Sequence, residues 1–481
     1  MRTVRPNVAF GPSPGRSRAR ARNADATPEG RSHTGSFPMV PVSHYIEVLM
    51  ADTVHPASSY LVRPAARPID ATIRPPGSKS YTNRALLLAG LASGTSTLTG
   101  ALFSDDTKHM ARGLAALGLD VHGDETARIF TVTGGGGLIP AAHASVFVGN
   151  SGTTARFLAP MMALGRGSYE LDGDEAMRGR PIQPLLDAMS ALGARAHSIC
   201  GNGCLPIRIQ GGAFEGGATC MAGSVSSQFF SALLMVAPRL RRGIVLEVEG
   251  DLVSKPYLEV TAQAMKAFGA TMKHDQFRRF EVAAGAYGGT DYEVEPDASA
   301  ASYFFAAAAV TRGRVVVTGL GSQSLQGDLG FVHLLEKMGC RVRQTATETE
   351  VVGPAKLAGI EADMSSMSDT AQTIAAIAPL ASSPTRITGI GFIRRKETNR
   401  IAAVVTELRK LGIRADEETD GFVVYPGQPR AGRIDTYDDH RMAMSFSVLG
   451  LTAHGIDILD PGCVSKTFPE YFVELEKLTG A

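Results

Sequence analysis

No stretch of 18 residues in this chain is free of polar side chains, so no segment is expected to cross a membrane as a helix. Only five cysteines occur, Cys200, Cys204, Cys220, Cys340 and Cys463, an odd number without a C-x-x-C pair. That pattern speaks against a disulfide framework or a cysteine-ligated zinc, and reads as reduced thiols in a cytosol-like compartment. An excess of either charge is also missing, with 48 Lys and Arg against 47 Asp and Glu. Seven of the arginines and two of the acids lie in residues 1–36, so 41 basic and 45 acidic residues remain in the body. A net acidic body argues against a nucleic-acid partner, and any anion site must come from local clustering.

Two phosphate-binding signatures fail as well. Gly77-Ser-Lys-Ser80 lacks the earlier glycine and the Gly-Lys pair of a nucleotide phosphate loop. The four glycines at 134–137 lack the strand-loop-helix spacing of a dinucleotide site and read as a hairpin or loop.

What the chain does have is a repeat. Six times a cluster of small polar residues runs into an apolar segment: 77–84 before 85–92, 149–154 before 155–163, 223–228 before 229–237, 296–299 before 300–310, 366–370 before 371–381, and 437–441 before 442–451. The last apolar residues of these segments are 71, 74, 73, 71 and 70 residues apart. Such openers suit the start of a buried helix, because Ser, Thr, Asp and Asn side chains satisfy N–H groups that have no partner in the first turn. Several helix starts facing one cleft would also make an anion site.

Alternating apolar strands ending in Gly or Pro lie between the openers, at 95–100, 168–173, 244–250, 314–319, 385–389 and 456–461. Helix stops follow at Gly118, Gly193, Gly269, Gly339 and Gly412. The fold class is therefore α/β, built from six units of about 70 residues, and 481 residues suggest two groups of three units. Loops after the strands carry polar groups at equivalent places, four of the six of them basic: Ser104-Asp-Asp106, Arg178-Gly-Arg180, Ser254-Lys-Pro-Tyr257, Gln326-Gly-Asp328, Arg394-Arg-Lys-Glu397 and Ser465-Lys-Thr467.

Eight motifs in order, across residues 66–481, resemble the 5-enolpyruvylshikimate-3-phosphate synthases. They are Pro76-Gly-Ser-Lys-Ser-Tyr-Thr-Asn-Arg84, Gly149-Asn-Ser-Gly-Thr-Thr-Ala-Arg156, Arg180-Pro181, Ser224-Val-Ser-Ser-Gln228, Asp251-Leu-Val-Ser-Lys-Pro-Tyr257, Lys396-Glu-Thr-Asn-Arg400, Asp439-His-Arg-Met-Ala-Met444 and Lys466-Thr-Phe-Pro469. The resemblance implies transfer of the enolpyruvyl group of phosphoenolpyruvate to shikimate 3-phosphate, without metal or organic cofactor, in a cytoplasmic monomer. It also implies an inside-out, barrel-like arrangement of two domains of three βαβαββ repeats. These would span 78–294, and 66–77 plus 295–481, with the active site in the cleft between them. Residues 1–65 are expected to be a disordered or weakly ordered extension. An Arg-rich transit peptide, and hence a plastid location, is the alternative for the tail.

By the same resemblance Ser226, Ser227, Ser254 and Lys255 hold the shikimate phosphate. Ser80 and Arg84 serve its ring and carboxylate, with Gln228, Tyr257 and Lys396 close by. Lys79, Gly152, Arg156, Arg180, Gln228, Arg400, Arg441 and Lys466 surround phosphoenolpyruvate. Glu397 is expected to protonate C3, Asp369 to take the hydroxyl proton, and Lys79 to assist the departing phosphate. Outside the resemblance, Asp369 would read as a helix N-cap and Glu397 as an acid in the first turn of a surface helix.

Glyphosate is expected to inhibit by competing with phosphoenolpyruvate, since Gly152 matches the glycine that makes room for it. Three positions depart from the family pattern: Ala176 where a further Arg is frequent, Phe392 where Asn is common, and Phe157 where Pro is usual. Phe157 is expected to tilt its helix and narrow the glyphosate pocket. The related transferase that acts on a nucleotide-sugar would show Ser-x-Lys-Asn and a reactive cysteine within 173–180, yet no cysteine precedes Cys200. A noncatalytic binding protein is opposed by the intact Lys79, Asp369 and Glu397.

Overall fold

All six polar openers become helix starts in a computed structural model of the chain, which describes residues 59–480. The helices are α1 (Lys79–Leu91), α2 (Gly152–Ala163), α3 (Ser227–Val236), α4 (Ala298–Thr311), α5 (Ala371–Ile377) and α6 (His440–Gly450). Almost every residue in them is buried, as their lack of a polar face requires. Opener side chains cap four of them: Ser151 accepts from Thr154 N, Ser226 from Gln228 N, Asp297 from Ala300 N, and Asp439 from Arg441 N. The start of α1 is served from elsewhere in the chain, because Lys79 N donates to Asp297 Oδ2 at 3.1 Å.

The strands repeat as faithfully as the helices. Five sheets share one order, in which a parallel strand enters beside a central strand that then pairs with an antiparallel hairpin. The second repeat shows the pattern: Ser168–Asp172 is flanked by His143–Phe147 in parallel and Ile207–Gln210 in antiparallel, with Arg195–Ser198 beyond. The first repeat receives its parallel strand from far along the chain, Asp291–Glu293 against Ala92–Thr99, and the fourth receives Asp70–Ile73 against Arg314–Thr318. Units one to three and four to six thus close on themselves. The interior follows suit, with one apolar cluster drawn from residues 81–294 and another from Val62, Ile69 and residues 298–475.

The two passages between these cores run side by side. Ser78 N donates to Glu295 O at 2.8 Å, and Gly77 bridges Pro296. A β-carbon at Gly77 would lie 2.1 Å from Gly100 O, so the crossing tolerates no side chain there. The five expected helix stops all take positive φ, from 78° at Gly412 to 101° at Gly339. Gly480 does the same after the last helix, Tyr471–Thr479, a sixth stop that sequence reading passed over.

The expected N-terminal extension ends earlier than residue 65. Ser59–Leu61 pairs antiparallel with Ile456–Leu459, Val62 is buried in the second core, and Tyr60 packs on Phe472 with ring centroids 4.3 Å apart. The polar composition of the first 36 residues masks this short apolar run. The rest of the expected extension lies outside the described residues. Among the described residues no helix is long and apolar enough to cross a membrane.

Candidate active site

The starts of the buried helices and the loops after the central strands line a cavity of about 590 Å³ between the two cores. Nine cationic side chains and five carboxylates line it, an excess of four positive charges. Confined charges without counterions are costly, so this arrangement is built to receive anions.

On one side stand the hydroxyl and amide groups of Ser80, Ser226, Ser227, Ser254, Gln228 and Tyr257. Arg84 lies beneath them with four of its five N–H groups committed: to Thr261, to Ser231, and to the Ser80 and Tyr257 carbonyls. One N–H remains for a ligand. Burial pulls this guanidinium down to about 10, and the Phe157 ring supports it from 5.3 Å. Phe157 itself is wholly buried and absent from the lining, so its side chain does not enter the cavity. Phe392, in contrast, does line the cavity, 5.6 Å from the Lys396 ammonium.

Lys255 is the expected phosphate ligand that the structure leaves out. It is exposed, off the lining, with its ammonium 6.0 Å from the Phe277 ring. Pro256 begins a helix immediately after it, and adjacency to Ser254 does not determine which way a side chain points.

The next wall is cationic. Gly152, at the start of α2, lets two guanidinium groups approach: a β-carbon there would lie 2.7 Å from Arg180 Nη2 and 3.2 Å from Arg156 Nη1. Arg156 donates to Gln228 Oε1 at 2.5 Å and Arg180 to Asn150 Oδ1 at 3.1 Å, yet the Nε of each is buried without a partner. Burial first, and Arg180 next, bring Arg156 down to about 9. Lys79 and Lys466 share Asp106, at 3.1 and 3.0 Å. Burial alone would raise that carboxyl, but Lys466 and Lys79 hold it below its usual value. Lys466 is just behind the lining, where it also donates to Asn150 O at 2.6 Å.

The two carboxylates expected to carry protons, Asp369 and Glu397, line the same cavity. Asp369 caps no helix, which disposes of its ordinary structural reading. It accepts instead from Lys396 at 2.5 Å, Arg441 at 2.7 Å and Arg400 at 3.2 Å. Burial opposes its ionisation, but Arg441, Lys396 and Arg400 hold it well below the ordinary carboxylate range. Glu397 lies 2.7 Å from Arg400, although its Oε2 makes no well-directed hydrogen bond. Burial again opposes ionisation, and Arg400, then Arg180 and Lys466, overcome it. Both acids are therefore anionic in the unliganded cleft. Arg400 is fixed by Asp439, which binds its Nε at 2.7 Å and Nη2 at 3.2 Å. Burial, then Arg441 and Lys79, keep His440 well below its ordinary value, so this imidazole is neutral.

All expected site residues other than Lys255 and Lys466 thus line one cavity. Sequence reading missed the partners that arrange them, namely Asp106, Asn150, Asp297, Asp328 and Asp439. Three of the five, Asn150, Asp297 and Asp439, lie within the polar openers and two, Asp106 and Asp328, in repeat loops already noted, so their positions were visible while their pairings were not.

Comparison with known proteins identifies the family. A family model described as EPSP synthase (3-phosphoshikimate 1-carboxyvinyltransferase) matches residues 64–475. A 3-phosphoshikimate 1-carboxyvinyltransferase of Nostoc punctiforme is 48% identical over 407 residues, covering 84% of this chain and 96% of the relative. One from Serratia proteamaculans is 44% identical over 415 residues, covering 85% and 96%. The fold resembles the solved EPSP synthase of Acinetobacter baumannii with a TM-score of 0.74 at 24% identity, over 87% of this chain and 98% of that one.

Proposed function

The chain belongs to the EPSP synthase family, and from that premise we propose which residues carry out its reaction. The enzyme transfers the enolpyruvyl group of phosphoenolpyruvate to the 5-hydroxyl of shikimate 3-phosphate and releases phosphate, a step of aromatic amino-acid biosynthesis. Shikimate 3-phosphate sits on the hydroxyl side, with its phosphate at Ser226, Ser227 and Ser254 and its carboxylate at Arg84 and Ser80. Phosphoenolpyruvate sits against Arg156, Arg180, Arg400, Arg441 and Lys79, with Lys466 behind them. Charge-assisted hydrogen bonds of about 1.5–3 kcal/mol each make these cations worth more to the ligands than a helix start, which contributes about 0.3–2 kcal/mol.

The single observation that carries the chemistry is the pair of partly buried carboxylates, Asp369 and Glu397, on either side of Arg400. Asp369 accepts the proton of the attacking hydroxyl, being anionic and spared from capping. Glu397 delivers the proton to C3 of phosphoenolpyruvate, and for that it must first acquire one. Phosphoenolpyruvate supplies the means: its phosphate and carboxylate draw on Arg400 and Arg180, the cations that hold Glu397 ionised. As their charge is neutralised, the affinity of Glu397 for a proton rises. As the adduct collapses, Glu397, now anionic, takes a proton back from C3 while the C2–O bond to phosphate breaks, and Lys79 stabilises the departing phosphate. Calorimetry in buffers of different ionisation enthalpy tests this step. Proton uptake on adding phosphoenolpyruvate to the shikimate 3-phosphate complex is expected, and should vanish in Glu397→Gln; unchanged uptake in that variant removes Glu397 from the role.

We infer further that residues 78–294 form one domain and 66–77 with 295–481 the other, a division supported by the two separate apolar cores. A monomer suffices, because one chain supplies both walls of the cleft. Free cysteines throughout the described residues support a cytoplasmic location. Glyphosate, an anion of similar charge to phosphoenolpyruvate, is expected to compete for the wall at Gly152, Arg156 and Arg180.

A further inference from the structure

Four carboxylates among the described residues are buried: Asp106, Asp328, Glu407 and Asp439. Three have a cation at hand, Lys466 at 3.0 Å, Lys410 at 2.5 Å and Arg400 at 2.7 Å respectively. Asp328 makes no ion pair, although it is only 4% exposed. Its Oδ2 accepts from the Tyr257 hydroxyl at 3.2 Å and from the Ser299 hydroxyl, while Oδ1 is buried without a partner. An unpaired buried carboxylate is a cost to folding, so its presence beside a catalytic cleft calls for a use.

Its surroundings indicate which. Tyr257 belongs to the helix Pro256–Ala267 of the first core, whereas Asp328 and Ser299 belong to the second, so the bond spans the cleft. The turn Gly327–Gly330, which carries Asp328, packs on the turn Ser368–Thr370, which carries Asp369. The ionisable groups around it are Asp297 before α4, Asp369, Arg441 on α6 and Tyr257. On its own turn Gln326 donates to Glu295.

We propose that Asp328 is a positioning residue of the transfer reaction, holding the Tyr257 hydroxyl across the cleft and sustaining by its charge the proton affinity of Asp369. This rests on the placing of Tyr257 and Asp369 at shikimate 3-phosphate given above. Burial, and then the charge of Asp369, push the Asp328 carboxyl up to about 6 against the opposing pull of Arg441. Asp328 is thus anionic at neutral pH and becomes neutral as pH falls through that value. When charged it makes Asp369 harder to ionise and so a better base; when neutral it leaves Asp369 to its three cations.

Asp328→Asn isolates the charge, since an amide oxygen can still accept from Tyr257 and Ser299. The measurement is kcat and the KM for shikimate 3-phosphate between about pH 5 and pH 8, for the wild type, Asp328→Asn and Tyr257→Phe. The variant Asp328→Asn should lose about five-fold or more in kcat near pH 8, converge on the wild type near pH 5, and show no rise in KM. Tyr257→Phe should raise KM at every pH. A loss in Asp328→Asn that is the same at every pH overturns the inference and marks the residue as structural, while the site reading stands if Tyr257→Phe still raises KM. A silent Tyr257→Phe overturns the placing of Tyr257 and the inference with it. If Asp328→Asn folds poorly, Asp328→Glu replaces it: retention of the wild-type pH dependence supports the charge role, and its disappearance refutes it.

Discussion

Gly152 lies so close to Arg180 that a β-carbon on it would stand 2.7 Å from the Nη2 of that guanidinium. The start of α2 and two arginines thereby form one surface, which a single methyl group would disturb. Gly152→Ala should raise the KM for phosphoenolpyruvate several-fold and weaken glyphosate inhibition further, while the KM for shikimate 3-phosphate changes little. Steady-state kinetics with each substrate varied in turn decides the matter, and an equal rise for both substrates would contradict the assignment of this wall.

Phe157 bears on Arg84, the residue proposed for the shikimate 3-phosphate carboxylate. Its ring faces Arg84 at 5.3 Å, and a cation–π contact between desolvated groups is worth about 2 kcal/mol. Phe157→Leu keeps the core filled but removes the contact, so the KM for shikimate 3-phosphate should rise by roughly ten-fold and glyphosate inhibition should not improve. A variant with altered glyphosate inhibition alone would return Phe157 to the phosphoenolpyruvate side.

Asp106 holds together two lysines, the buried Lys466 and the partly buried Lys79, one from each end of the described chain. In Asp106→Asn both ammonium groups lose their counterion, which should cost about 3–5 kcal/mol of stability at neutral pH. The sign with pH follows from the lowered value of this carboxyl: its contribution is present above its unfolded value and is lost as pH falls through its folded one. Thermal unfolding of both proteins should therefore differ most near neutrality and converge in acid. An undiminished gap at low pH would assign the loss to packing instead.

The six units were legible because each combines a local signal for a capped helix start with an apolar run, and 70-residue spacing repeats it. The proposed acid–base residues, Asp369 and Glu397, were named from the family resemblance. What the sequence could not supply was pairing across repeats: Lys466 meets Asp106 over 360 positions and Arg400 meets Asp439 over 39. Side-chain direction was equally hidden, so Lys255 was expected in the site beside Ser254 although it stands over Phe277. Phe157 was noted only as a replacement for Pro, and its contact with Arg84 was hidden because adjacent residues of a helix point about 100° apart, which turns it into the core rather than toward the cavity.

The two proton carriers are the centre of this account, and Glu397→Gln tests them most directly. Phosphate release with both substrates gives its turnover, and calorimetry gives its affinity for shikimate 3-phosphate. General acid catalysis predicts a fall in kcat of about 100-fold or more with that affinity unchanged to within about two-fold. Turnover near that of the wild type, or a loss confined to binding, would contradict the role given to Glu397.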